Sequence, residues 1–252
     1  MTVAYFLPYI ITDVYSNMAV DEFLYRYTDN PSLRFYSFSE LSLTIGYNQK
    51  YSRSCDTDYI ENNNIPVARR ITGGRTVPHC GDLTYSFSSN YRYFNEIIDE
   101  NSLKARYSKL AEAFINGFES AGIDIEVNEG ESEKPYGANC FESASIYELS
   151  LKGRKVLGSA QTFMQDRFLQ QGSILVNNCP RAGIVFGNKI ELYNIEKITD
   201  IPYNIEGLSG NFYQAFRESF SYDWKEFDFD FLDKRYLELI DKYKSNEHLR
   251  RR

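Results

Sequence analysis

Cysteine and histidine are scarce in this chain. Among 252 residues there are four Cys (Cys55, Cys80, Cys140 and Cys179) and two His (His79 and His248). No two cysteines have CxxC spacing, which argues against a thiolate zinc site, and four are too few for a disulfide framework. A cytoplasmic protein with reduced thiols is therefore expected. Two histidines also leave little imidazole for acid–base work. No apolar run approaches the roughly 20 residues of a membrane helix. Residues 1–11 have neither the basic stretch nor the small-residue cleavage site of a secretory signal. Internal repeats, low-complexity tracts, GxxxxGK[ST] and GxGxxG are missing as well. Lys and Arg number 28 against 35 Asp and Glu, a net charge of -7. Nucleic-acid affinity rests on phosphate neutralisation, so neither nucleic acid nor a membrane is expected as a partner.

What remains is an ordinary globular composition, 42% hydrophobic and 25% charged. The length fits a single domain over 1–252, with a C-terminal helical segment from about 205 packed on it. Ala19, Phe23 and Tyr27 share one face of a helix over 17–27. Leu33–Phe38 and Leu43–Tyr47 read as strands. The clearest helix covers 102–121, where Leu103, Tyr107, Leu110, Ala111, Phe114, Phe118 and Ala121 form one stripe before Gly122. Ile123, Ile125 and Val127 alternate with acids as a half-buried strand does. Residues 146–151 and 155–161 flank Lys152-Gly153 as a hairpin, 168–176 is a third strand, and 212–220 and 231–243 read as helices. Strands and helices mix without βαβ alternation, so the fold class is α+β.

Three segments carry chemistry. In Arg69-Arg70-Ile71-Thr72-Gly73-Gly74-Arg75-Thr76-Val77-Pro78-His79, two glycines let backbone approach a ligand, and the arginines offer donors to an anion. The alternative is a plain turn with solvated arginines. In Lys155-Val156-Leu157-Gly158-Ser159-Ala160-Gln161, small residues on a strand leave room for something to lie on the sheet, with Lys155 projecting over it or simply solvated. Cys140 sits in Gly137-Ala138-Asn139-Cys140-Phe141, either as a small buried hydrophobe or as a reactive thiolate. Cys55, Cys80 and Cys179 read as buried hydrophobes. His79 and Cys80 are adjacent on a strand and face opposite ways, which makes them a poor dyad.

Taken in order, these segments resemble the lipoate–protein ligase and octanoyltransferase family, which shares its fold with biotin–protein ligases. The matching pieces are Asn17-Met18-Ala19-Val20-Asp21-Glu22, Arg69-Arg70-x-Thr72-Gly73-Gly74 with His79, Gly153-Arg154-Lys155-x-x-Gly158-Ser159-Ala160-Gln161, and Leu169-Gln170-Gln171-Gly172-Ser173. The resemblance implies a mixed, mainly antiparallel sheet with flanking helices. Cys140-Phe141 ahead of Tyr147-Glu148-Leu149, and Gly-Gly-Arg at 73–75, resemble the cysteine-dependent octanoyltransferase branch. Gln171 departs from the family, which usually has His there. Gln hydrogen-bonds but does not act as a base near neutral pH. Arg75-Thr76 also replaces smaller residues.

The resemblance implies transfer of octanoyl from acyl carrier protein, through a thioester on Cys140, to a lysine of a lipoyl-domain protein such as the glycine-cleavage H protein. Lys155 would stabilise the developing negative charge. Arg70, Thr72, Gly73, Gly74, His79, Gly158, Ser159 and Ala160 would bind substrate. Lys152, Arg154 and Lys155, with Arg69, Arg70 and Arg75, would dock the acidic partners. No cofactor or metal is expected. ATP enters only under the alternative, a lipoate–protein ligase that holds a lipoyl-adenylate with Lys155.

Overall fold

The computed structural model describes residues 1–96, 102–128, 148–187 and 192–251. Its strands are β1 (Val3–Thr12), β2 (Ser32–Phe38), β3 (Ser42–Ile45), β4 (Val67–Arg69), β5 (Val77–His79), β6 (Asp82–Asn90), β7 (Glu126–Asn128), β8 (Glu148–Leu151), β9 (Arg154–Met164), β10 (Arg167–Leu175) and β11 (Asp223–Glu226). Its helices are α1 (Val14–Tyr27), α2 (Tyr51–Ser54), α3 (Thr57–Asn62), α4 (Tyr91–Phe94), α5 (Leu103–Ser120), α6 (Arg181–Ile184), α7 (Ile195–Thr199), α8 (Ile205–Ser219), α9 (Lys234–Lys244) and α10 (Asn246–Arg250).

Eight strands form one sheet in the order β11-β1-β2-β6-β10-β9-β8-β7, and β4-β3-β5 form a second, smaller one. The large sheet is antiparallel from β2 to β7 and parallel where β1 meets β2 and β11. This is the mixed, mainly antiparallel α+β architecture that the sequence predicts.

Local chemistry explains the elements. The Asp13 carboxylate accepts from the Tyr15 and Ser16 amides and starts α1, and Ser102 caps α5 through the Ala105 amide. Lys152 and Gly153 both have positive φ, +48° and +70°. That is what a two-residue hairpin of the primed type requires, so β8 and β9 pair as expected. The short strands β4, β5 and β11 and the short helices α2, α3, α4, α6 and α7 were not expected, α8 starts earlier than the helix expected over 212–220, and three further differences stand out. The strand expected over 123–127 shrinks to β7, because Ile123 is instead buried at the end of α5. Strand β1 was not anticipated; it contains Pro8, which weakens a strand signal, and its register with β2 shifts between Leu7 and Ile10. Strand β6 was also missed.

One face of the large sheet holds the main core. Leu33, Phe35, Leu83, Tyr85, Phe87, Phe168 and Ile174 pack there against Leu110, Phe114 and Phe118 of α5 and Phe212 and Phe216 of α8. Each such side chain contributes about 1.5–3 kcal/mol on burial. The other face is covered by α1, on which α9 packs, and by the small sheet.

The cysteine expectation needs correction. Cys80 and Cys179 form a disulfide with 5.8 Å between their Cα atoms. Their separation of 99 residues hides the pairing from the sequence. The antiparallel register Asp82↔Leu175 and the Asn177 amide donating to the Gly81 carbonyl at 2.8 Å bring the two ends together. Cys55 is a free, partly buried thiol, and burial pushes it up to about 12. That suits its reading as a hydrophobe.

Candidate active site

A cavity enclosing about 360 Å³ of empty space, part of it open to solvent, lies between the polar face of the large sheet, α1 and the small sheet. Met18 of α1, Tyr36 of β2, Thr44 of β3, Val77 and His79 of β5, and Thr84 of β6 line it. Gly158, Ser159 and Ala160 of β9 and Gln171, Gly172 and Ser173 of β10 continue the large-sheet wall beside Thr84, and Arg70 also lines the cavity. Five sequence-predicted residues, Arg70, His79, Gly158, Ser159 and Ala160, thus meet at one cavity. Gly158 pairs with Ser173 and Ala160 with Gln171, so both face the α1 side. Ser159 points its hydroxyl the other way, to Tyr85 at 2.7 Å, and offers the cavity only backbone.

His79 is held at both ring nitrogens. Nδ1 meets Asp82 Oδ2 at 2.8 Å, Nε2 meets Thr44 Oγ1 at 2.8 Å, and Phe38 stacks on the ring. Asp82 Oδ2 also accepts from Ser173 at 2.7 Å and Thr84 at 2.9 Å. Burial alone would raise the Asp82 carboxyl. The His79 ring and these hydrogen bonds outweigh burial and hold it below the usual carboxylate range.

Arg69 and Arg70 of the glycine-containing segment are structural, contrary to the docking role expected of them. Arg69 is fully buried and donates to the carbonyls of Gly46, Tyr47, Gln49, His248 and Leu249. Arg70 donates to the carbonyls of Thr44, Gly73 and Arg75 and so shapes its own loop. Carbonyls can satisfy a guanidinium fully, which is why neither needs solvent. Thr72 is buried and donates to Gln171. Gly73 and Gly74 do not line the cavity, though a Cβ on Gly73 would meet open space. Gly74 has φ +83°, and its carbonyl lies so near Gly46 that a Cβ there would come within 2.0 Å.

Lys155 owes its direction to a bulge. Leu149 pairs with Leu157, but Ser150 pairs with Lys155, leaving Val156 as an extra residue. Val156 and Leu157 both enter the core, and Lys155 swings to the face that carries Gly158 and Ala160. It lies on the cavity's side of the sheet, about 10 Å along the strand from Gly158, and does not line the cavity. Cys140 lies outside the described residues, between β7 and β8 in the chain.

Sequence reasoning missed Thr44, Asp82 and Thr84, and left Asp21, Arg34, Tyr36 and Ser173 without roles. Arg34 donates to Asp21 Oδ1 at 3.0 Å and Tyr36 to Asp21 Oδ2 at 2.6 Å, all three buried. The available signal was the alternation of β6, where polar residues recur every second position. Among the described residues no group of three His, Cys, Asp or Glu is placed to hold a metal, and no helix is long and apolar enough to cross a membrane.

A family model described as the lipoyl protein ligase A/B catalytic domain matches residues 13–189. Octanoyltransferase LipM of Clostridioides difficile is 31% identical over 259 residues, covering 94% of this chain and 94% of that protein. Octanoyltransferase LipM of an Exiguobacterium species is 39% identical over 172 residues, 63% of this chain and 60% of that protein. Among solved structures, lipoate-protein ligase A bound with ATP superposes with a TM-score of 0.76 at 23% identity, over 98% of this chain and 99% of the other. The bi-partite lipoate protein ligase of Thermoplasma acidophilum, studied with its E2 lipoyl domain, gives 0.72 at 23% identity, over 98% and 96%. At that identity these two speak to the fold.

Proposed function

The chain belongs to the lipoyl protein ligase A/B catalytic-domain family, and from that premise we propose that it is an octanoyltransferase of protein lipoylation. Octanoyl passes from acyl carrier protein to a thioester on Cys140, and then to a lysine of a lipoyl-domain protein such as the glycine-cleavage H protein. The observation that carries this reading is the alignment with an octanoyltransferase over 94% of both chains. Cys140-Phe141 and Tyr147-Glu148-Leu149 stand in its support.

In this mechanism the Cys140 thiolate attacks the donor thioester carbonyl; a carbon–sulfur bond forms as the pantetheine thiolate leaves. The neutral lysine amine of the acceptor then attacks the acyl-Cys140 carbonyl. An amide forms, and the thiol of Cys140 is regenerated with the amine's proton. Thioester exchange is nearly neutral in energy and amide formation from a thioester is downhill, so the reaction needs no ATP. Lys155 stabilises the carbonyl oxygen as negative charge develops. The octanoyl tail lies in the cavity against Gly158 and Ala160. At ~0.8 kcal/mol per buried CH₂ the tail supplies roughly 5 kcal/mol before the costs of binding. His79, held by Asp82, lines the same cavity. With Arg69 and Arg70 buried, docking of acidic partners falls to the exposed Lys152 and Arg154 and the half-buried Lys155 and Arg75.

A transfer assay with octanoyl carrier protein tests the reading. Product should form equally with and without ATP. Lipoate-dependent pyrophosphate release would move the reading to a ligase. Mass spectrometry should find an octanoyl adduct on Cys140, and a Cys140→Ser protein that still transfers at full rate would sink the covalent path. Lys155→Ala should lose most activity and keep its melting temperature. The same reading places the enzyme in the cytoplasm. Alkylation of protein rapidly quenched from cells checks the thiols: two of the four cysteines should react if the Cys80–Cys179 bridge persists there, and four if it is reduced.

A further inference from the structure

We propose that Gln171 is a positioning residue, one that holds the Arg70–Thr76 loop against the acyl cavity by accepting and donating a hydrogen bond at the same time. The inference rests on the octanoyltransferase reading for its kinetic consequences and on geometry alone for the hold itself.

Gln171 is buried on β10, paired with Ser86 of β6 and Ala160 of β9. Its Oε1 accepts from Thr72 Oγ1 at 2.7 Å, and its Nε2 donates to Asp21 Oδ2 at 2.6 Å. Asp21 is an acceptor in an ion pair with Arg34, so the amide has one workable orientation: NH₂ toward Asp21, oxygen toward Thr72. Through this amide the loop is tied to the large sheet and to α1 together. The loop's other described ties run to the small sheet side, where Tyr47 N–H donates to the Thr72 carbonyl and Arg70 reaches Thr44. Loss of the amide frees the wall that carries Arg70 and leaves Thr72 and Asp21 each a buried partner short.

The ionisable groups around Gln171 are Asp21 on α1, Arg34 and Tyr36 on β2, and, around the cavity, Arg70, His79 and Asp82. An amide does not titrate, so the tie is independent of pH. Replacing it with titratable groups gives effects of opposite sign. In Gln171→Glu the carboxylate repels Asp21, and only the protonated acid can donate to Asp21 while accepting from Thr72. In Gln171→His the neutral ring can do both, but the imidazolium has no acceptor left for Thr72.

The test is kcat/KM for octanoyl carrier protein, taken as the ratio of variant to unmodified enzyme at each pH from about 8 to about 6, which cancels titrations they share. The Gln171→Glu ratio should rise about tenfold toward acid, the Gln171→His ratio should fall about tenfold, and Gln171→Ala should stay about tenfold low throughout. Thr72→Val should match Gln171→Ala, and the double variant should be no worse than either. Flat ratios in both titratable variants, or full activity in Gln171→Ala, overturn the proposal. Hydrogen exchange over 70–76 reads the same tie without substrate: Gln171→Ala should speed it, and unchanged exchange overturns the proposal even if the unmodified protein transfers no octanoyl. If that protein is inactive and exchange does speed up, the octanoyltransferase reading falls and the positioning role stands.

Discussion

On one face of the eight-stranded sheet, Leu33, Phe35, Leu83, Tyr85, Phe87 and Ile174 meet α5 and α8 in a layer rich in aromatic rings. On the other, Arg34, Tyr36, Asp82, Thr84, Gln171 and Ser173 come from the same three strands and are equally buried. The first face is held by area and shape. The second is held by an inventory of donors and acceptors: the Asp21–Arg34 pair, the His79–Asp82 pair and the hydroxyls around them. Burying polar groups on this scale costs stability unless each finds a partner, and proteins keep such layers where chemistry needs them. The difference therefore locates the site before any catalytic residue is considered.

Truncation on the apolar face should give the largest loss of stability. Phe114 packs on Tyr85 with ring centroids 4.4 Å apart and on Phe216 at 5.1 Å. Phe114→Ala should cost about 3–5 kcal/mol in denaturant unfolding. The protein that remains folded should keep its KM for the acyl donor, and a KM shift matching the stability loss would erase the distinction between the faces.

On the polar face the ranking should reverse. Asp82→Asn keeps shape and removes the charge that His79, Thr84 and Ser173 address, so stability should fall by about 2 kcal/mol. Activity should fall further than with Phe114→Ala, because His79 lines the cavity. Full kcat/KM in the Asp82→Asn protein would show the pair to be scaffolding only.

How much of this was legible follows the range of each interaction. The Lys152-Gly153 hairpin and the α5 stripe were readable because turn chemistry and helical period are local. Arg70, His79, Gly158 and Ala160 were found through motif pieces, and the structure gathers them. Strand β6 was missed although it alternates cleanly, and all nine of its residues are buried. Alternation normally means one wet face, and here a second layer covers it. Lys155 was read as a candidate from its motif piece, and its direction depends on a bulge that no local rule announces. Arg69 looked like an anion ligand because its carbonyl partners, two of them near the C-terminus, are invisible in sequence. The Cys80–Cys179 bridge was hidden for the same reason.

The comparison also predicts where the pH dependence of the fold resides, since among the described residues the polar side buries the titratable groups that shift downward. His248 of α10 donates from Nε2 to the Arg69 carbonyl at 3.0 Å and packs edge-on to Tyr243. Burial lowers it from 6.5 to about 4. The unfolded chain therefore binds a proton in a range where the folded one does not. Its contribution is complete above the ordinary histidine value and is lost as pH falls toward the folded one. Between neutral pH and about pH 5.5 the loss should be about 1 kcal/mol. Asp82 and Glu22 are also held low, and they add their losses below the ordinary carboxylate values, in a separate window. His248→Gln keeps a donor for Arg69 and does not titrate, so its unfolding free energy should stay flatter from about pH 7 to about pH 5.5. If both proteins lose the same amount over that range, the His248–Arg69 contact is not part of the acid-sensitive layer, and that layer ends at the cavity wall.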